Sequence, residues 1–162
     1  MTGLLRALIV DDEPLAIERL EVICSRLPDL EVVGTANDGA EAMHQIERLE
    51  PDLVLLDITM PSVDGIAVAA RLARWDSPPA VVFVTAHDGF ALEAFDLEAI
   101  DYVLKPVSPE RLARAVARVA SRRGERRRGG ESQWLSELWV PHRESLLRLP
   151  VSEIDRIEAE RD

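Results

Sequence analysis

The sequence predicts an α/β fold: a doubly wound parallel sheet with helices on both faces, followed by a short mostly-β segment. Three observations predict it. Five short apolar runs alternate with five segments of helical periodicity over about 120 residues, the pattern of a parallel sheet joined by right-handed crossovers. Runs such as Leu53-Val54-Leu55-Leu56 carry no polar alternation, as strands buried on both faces do. Several runs then stop on a charged or hydroxyl residue: Asp11-Asp12, Asp57, Thr85 and Lys105. In open α/β sheets the carboxyl ends of the strands form the ligand-binding edge.

Residues 4–10 form the first strand and lead into Asp11-Asp12-Glu13. Pro14 suits the first turn of a helix. Leu15, Ile17, Leu20, Ile23, Cys24 and Leu27 recur at helical spacing as far as about Arg26. Residues 30–36 make the second strand. Asn37-Asp38-Gly39 caps a helix that runs to about Leu49 and is closed by Pro51. The third strand, 53–57, ends on Asp57, and Pro61 and Gly65 break the chain into a loop. A helix over 65–74 places Ile66, Ala69, Ala70 and Ala73 on one face. Pro78-Pro79 precede the fourth strand, 80–85. A short helix over 90–95 and a fifth strand over 100–104 lead to Lys105-Pro106. The last helix, 109–122, turns Leu112, Ala115, Val116 and Val119 inward.

Residues 124–131 hold no apolar side chain and read as a solvated linker rather than a phosphate-binding patch. From Trp134 apolar patterning resumes, in clusters that suit two or three short strands. The expected division is a first domain over 1–122, a linker over 123–133 and a fragment over 134–162. About 30 residues cannot bury a core alone. The tail is therefore expected to pack on the first domain or to exchange between two copies of the chain.

Apolar content of 47% and charged content of 30% suit a soluble globular chain. No apolar run approaches the roughly 20 residues that span a membrane, and the N-terminus reads as a strand rather than a signal peptide. Cys24 is the only cysteine, so no internal disulfide forms and a cytoplasmic location is expected. The net charge is −11. Residues 1–120 hold 21 acids and 10 bases, whereas 121–162 hold 9 of each. The first part therefore repels nucleic acid. Lys105 is the only lysine.

With the first strand placed centrally, one sheet edge gathers Asp11, Asp12, Asp57, Thr85 and Lys105. Two carboxylates about 4 Å apart repel by roughly 4 kcal/mol at an effective dielectric constant of about 20. Three of them call for positive charge beyond Lys105. Carboxylate oxygens with a free side favour Mg²⁺ (or Mn²⁺). His44, His87 and His142 are scattered and Cys24 lies on an apolar helical face, which argues against zinc. His87, two past Thr85, reads as a surface loop residue. Divalent metal beside one carboxylate points to phosphoryl chemistry, with the carboxylate as nucleophile.

The residues Val10-Asp11-Asp12-Glu13, Asp57 with Met60-Pro61 and Asp64-Gly65, Thr85-Ala86 and Lys105-Pro106 resemble the receiver domain of two-component response regulators. The resemblance covers about residues 4–121 and implies a flavodoxin-like (βα)5 sheet. It implies that Asp57 accepts a phosphoryl group from a histidine kinase. It implies that Asp12 ligates Mg²⁺, with Asp11 helping through water and the Thr59 carbonyl completing the set, and that Thr85 and Lys105 bind phosphoryl oxygens. Tyr102 matches the family's switch aromatic, and the bond before Pro106 is expected to be cis. Such a domain is a phosphoacceptor switch rather than an enzyme, supporting only its own phosphoryl transfer and autodephosphorylation.

The stretch 85–106 is similar to receivers joined to a LytTR-type (LytR/AlgR-like) DNA-binding domain, and 151–162 looks like early strands of that module. The resemblance thus implies a transcriptional regulator, with DNA bound only by the full-length protein and most of the effector half absent from this chain. Phosphorylation is expected to draw in Thr85, turn Tyr102 inward and promote a homodimer through the face of helix 4, strand 5 and helix 5. Phe90, Leu92, Phe95 and Leu97 serve either that contact or the core. A receiver working through protein contacts without DNA is the alternative. An aspartate-nucleophile phosphatase would need an acid where Thr59 stands, and a flavin carrier a hydroxyl-rich loop where Asp11-Asp12-Glu13-Pro14 stands.

Overall fold

A computed structural model of the chain describes residues 3–129, 137–142 and 145–150. The elements follow in order: β1 (Leu5–Val10), α1 (Pro14–Ser25), β2 (Leu30–Ala36), α2 (Gly39–Leu49), β3 (Leu53–Leu56) and α3 (Gly65–Leu72). Then come β4 (Ala80–Thr85), α4 (Ala91–Asp96), β5 (Asp101–Leu104), α5 (Pro109–Gly129), β6 (Glu137–His142) and β7 (Ser145–Pro150). Strands β1 to β5 form one parallel sheet in the order β2-β1-β3-β4-β5. This is the flavodoxin-like arrangement that the resemblance implies.

Successive strand residues face opposite sides of the sheet, and two cores result. Leu5, Ala7, Ile9, Leu53, Leu55, Val82, Val84 and Val103 pack under α1 and α5. Leu8, Val10, Val54, Leu56, Val81, Phe83 and Tyr102 pack under α2, α3 and α4. The helix starts follow local chemistry. Asp38 accepts from Glu41 N at 2.8 Å while the Glu41 carboxylate accepts from Asn37 N at 2.6 Å, a reciprocal cap on α2. Asp64 caps α3 by accepting from Ala67 N at 2.8 Å.

Three local expectations are corrected. The inward stripe of α3 is Gly65, Val68, Ala69 and Leu72, whereas Ala70 and Ala73 are exposed. Close packing of Gly65 against β3 sets that phase. Leu15, counted with the apolar stripe of α1, is 76% exposed, because it lies in the first turn and off the buried face. Helix α5 does not stop near Arg122 but runs to Gly129. Its Arg- and Glu-rich extension has good helix propensity, and one glycine costs only about 1 kcal/mol. Arg123 fastens this stretch by an ion pair to Asp52 at 3.1 Å.

β6 and β7 form an antiparallel hairpin, which lies with β6 against α4 and β7 against β5. Residues 130–136 and 151–162 lie outside the described residues, and with them the expected strands past Pro150.

Candidate functional site

Register brings the polar strand ends together. Val10 pairs with Leu56, so the next residues on two adjacent strands are Asp11 and Asp57. Asp57 N donates to Val10 O at 2.9 Å and Asp11 N to Ala36 O at 3.1 Å. Lys105 N donates to Thr85 O at 2.8 Å, which levels the ends of β4 and β5 with the same edge. The carboxylates of Asp11, Asp12 and Asp57 each offer an oxygen within 4.8 Å of the others. Asp11 and Asp57 are buried and Asp12 is exposed. The Lys105 ammonium lies 2.6 Å from Asp11 Oδ2, 3.7 Å from Asp57 Oδ2 and 4.0 Å from Glu13 Oε1.

Burial is the main force on the Asp57 carboxyl and raises its pKa above the ordinary value. Lys105 opposes that shift, Asp11 adds to it, and hydrogen bonds from Thr85 and from Ile58 N oppose it. For Lys105, burial alone would lower the ammonium, but Asp11, Asp57 and Glu13 more than offset this and hold it above its ordinary value. The edge thus holds buried carboxylates short of positive charge. Three carboxylates with Asp12 open to solvent are a hard-oxygen donor set, which fits Mg²⁺ or Mn²⁺. The Thr59 side chain is exposed in the loop after β3.

Thr85 is fully buried. Its hydroxyl opposes the upward shift of the Asp57 carboxyl and accepts from His87 N at 3.3 Å. The Tyr102 hydroxyl donates to the His87 carbonyl. The Tyr102 ring lies inward, 2% exposed, tilted against Phe83 at 6.3 Å between centroids. The backbone of one residue, His87, therefore touches both Thr85 and Tyr102. The His87 side chain is exposed, as read from the sequence, with its ring edge-on to Phe90. The Lys105-Pro106 peptide bond is cis. On α4, Leu92 is exposed, whereas Phe90, Phe95 and Leu97 are half-buried.

The sequence reading gave Gly65 only as a loop break and a motif residue, and it missed Asp101. A Cβ on Gly65 would lie 2.1 Å from the Asp57 carbonyl oxygen, so only glycine lets α3 begin there. The signal was the spacing of Asp57 and Gly65 across a proline-containing loop. Asp101 is fully buried, bound by Arg111 and Arg118 of α5, and no local pattern marks it. His44 is exposed on α2 and Cys24 is buried under α1, both away from the carboxylates.

Comparison with known proteins agrees with this geometry. Residues 7–117 match the response regulator receiver domain family. The chain is 51% identical over 117 residues to the positive alginate biosynthesis regulatory protein of Pseudomonas aeruginosa, covering 72% of this chain and 47% of that protein. It is 38% identical over 113 residues to the sensory transduction protein LytT of Bacillus anthracis, covering 70% and 46%. The chain spans about half the length of the curated relatives it matches. The crystal structure of the response regulatory domain of mrkE from Klebsiella pneumoniae superposes with a TM-score of 0.69 at 32% identity, covering 74% of this chain and 98% of that one.

Proposed function

Because the chain belongs to the response regulator receiver domain family, we propose that it is a phosphorylation-driven switch of a two-component system with Asp57 as phosphoacceptor. The observation that carries this is the convergence of Asp11, Asp12 and Asp57 within 4.8 Å, with Lys105 held between Asp11 and Asp57. The Asp57 carboxylate oxygen attacks the phosphorus of a kinase phosphohistidine. The oxygen–phosphorus bond forms as the nitrogen–phosphorus bond breaks, and the departing imidazole nitrogen takes up a proton. A bound Mg²⁺ would neutralise the incoming phosphoryl oxygens.

Asp12, exposed, and Asp57 would hold the ion directly, with the Thr59 carbonyl. Asp11 Oδ1 accepts from Glu13 N at 3.0 Å and its Oδ2 takes Lys105, which supports a role through water. Lys105 moves from Asp11 toward the new phosphoryl oxygens, and the added charge draws in the Thr85 hydroxyl. Because His87 joins Thr85 to Tyr102, that small motion reaches α4 and β5. The kinase phosphohistidine reaches Asp57 from the open side of this edge, where Asp12 is exposed. The chain works as a switch rather than a turnover enzyme, with autodephosphorylation as its own reset.

The name of one relative, the transcriptional regulatory protein BtsR of Escherichia coli, 39% identical over 120 residues, supports transcriptional control as the output. We place the receiver at 1–122, a connector at 123–133 that begins as the end of α5, and part of a LytTR-type DNA-binding domain at 134–162. Assembly runs through α4, β5 and α5, the first two of which the hairpin also contacts. Among the described residues no helix is long and apolar enough to cross a membrane, and the kinase meets this chain in the cytoplasm.

Incubation with acetyl phosphate and Mg²⁺, reading mass and oligomeric state together, tests the proposal. One added phosphoryl mass in the wild type and none in Asp57→Asn, with a shift toward dimer, supports it. Modification without change in assembly keeps the acceptor and moves the output to another protein. No modification overturns the reading.

A further inference from the structure

We infer that Asp101 is a positioning residue: together with Arg111 it clamps the backbone of Tyr102, so that the seating of α5 on β5 sets where the Tyr102 ring lies. Asp101 is fully buried at the start of β5. Arg111 meets it as a two-pronged fork, Nη1 to Oδ2 at 2.8 Å and Nη2 to Oδ1 at 2.7 Å, and Arg118 donates to Oδ2 as well. The same two residues hold both polar ends of Tyr102. Tyr102 N donates to Asp101 Oδ1 at 2.8 Å, and the Tyr102 carbonyl accepts from Arg111 Nη2 at 3.2 Å.

This arrangement is more than a fastening for α5. Leu112, Ala115, Val116 and Val119 already seal that helix to the sheet, and an apolar pair of similar volume would often seal it as well as a buried ion pair does. Burial holds the Arg118 guanidinium below its ordinary value, with Asp101 opposing and Arg111 adding to the shift. Two guanidiniums round one carboxylate are thus electrostatically costly. What they do that an apolar pair cannot is fix the direction of the Tyr102 peptide, through bidentate geometry that lysine does not reproduce. The ring hangs from that peptide and reaches the His87 carbonyl. The clamp and the site therefore meet in one side chain. The importance of Tyr102 rests on the receiver reading; the clamp itself does not.

The chain has one tyrosine, so 3-fluorotyrosine gives a single fluorine line that reports Tyr102 alone. Arg111→Lys keeps the charge and loses the fork. With helix content unchanged, its fluorine line should broaden and gain a solvent isotope shift, and its phenol titration, read on unlabelled protein, should fall from about 12 toward 10.0. Arg114→Lys, on the exposed side of α5, should change neither. Should the lysine variant unfold, Arg111→Met serves, since Arg118 still pairs Asp101 there. A folded Arg111 variant whose fluorine line and titration match the wild type overturns the inference. The comparison uses unmodified protein, so it is independent of whether Asp57 accepts a phosphoryl group. Mass gain on Asp57 in the same variant should persist, and its loss in step with the fluorine change would reassign the cluster to the site itself.

Discussion

Gly65 lies against the backbone of Asp57, and a methyl group on it would come within 2.1 Å of the Asp57 carbonyl oxygen and 2.8 Å of Ile58 Cα. Gly65 N also donates to Ile58 O at 2.8 Å. The start of α3 and the peptide that carries the Asp57 carboxylate are one packed unit. Gly65→Ala should therefore cost about 2–3 kcal/mol, at the upper end of the usual overpacking range. Urea denaturation measures it. A midpoint equal to the wild type would mean that the loop yields without cost.

Lys105 is the main counter-charge to two buried carboxylates. Lys105→Met should destabilise the chain by about 1–3 kcal/mol, somewhat less than breaking a fully buried pair. Added Mg²⁺ should restore part of the loss, since an ion that binds only the folded state stabilises it. Thermal melts of the variant with Mg²⁺ and with a chelator decide this. A variant that melts like the wild type and ignores Mg²⁺ would show that the three carboxylates do not strain the edge.

Asp57 carries a pH signature of definite sign. Its folded pKa is raised above 3.8, so the folded chain binds this proton more tightly than the unfolded one. That contribution to stability is complete below 3.8 and is lost as pH rises through the raised value. The ionised carboxylate bears the burial penalty and Asp57→Asn escapes it. The variant should therefore be more stable than the wild type at neutral pH, and the gap should shrink on acidification. A gap that grows toward acid would reverse the assignment.

Tyr102 should titrate late. Burial, then the charges of Asp88, Glu93 and Asp57, push its phenol up to about 12, with a hydrogen bond from Phe90 N opposing. Phenolate absorbance follows this side chain alone. The stability it contributes is complete below 10.0 and is lost as pH climbs toward about 12. A midpoint at the ordinary value in folded protein would place the ring in solvent.

The sheet was legible because its buried strands leave unbroken apolar runs, and the site because those runs stop on Asp11, Asp57, Thr85 and Lys105. That Asp11 and Asp57 are neighbours depends on strand order, which alternation alone does not dictate. The phase of α3 was hidden because its alanine-rich sequence offers two stripes of similar polarity, and only the Gly65 contact selects one. The end of α5 was hidden because Gly124 reads as a stop while the arginines beyond it favour continuation. Asp101 was hidden for a different reason: its partners lie 10 and 17 residues away, in a helix whose facing side no local pattern fixes.

The chain has a single lysine, and its amine is 2.6 Å from Asp11 and 3.7 Å from Asp57. Those carboxylates keep the amine protonated and hence a poor nucleophile. Apart from the chain terminus, an acylating reagent finds no other amine to label. The rate at which this protein takes up such a reagent is therefore a footprint of its acidic edge, available without engineering a reporter. Anything that withdraws Asp11 or Asp57 from Lys105 will register as a change in that rate.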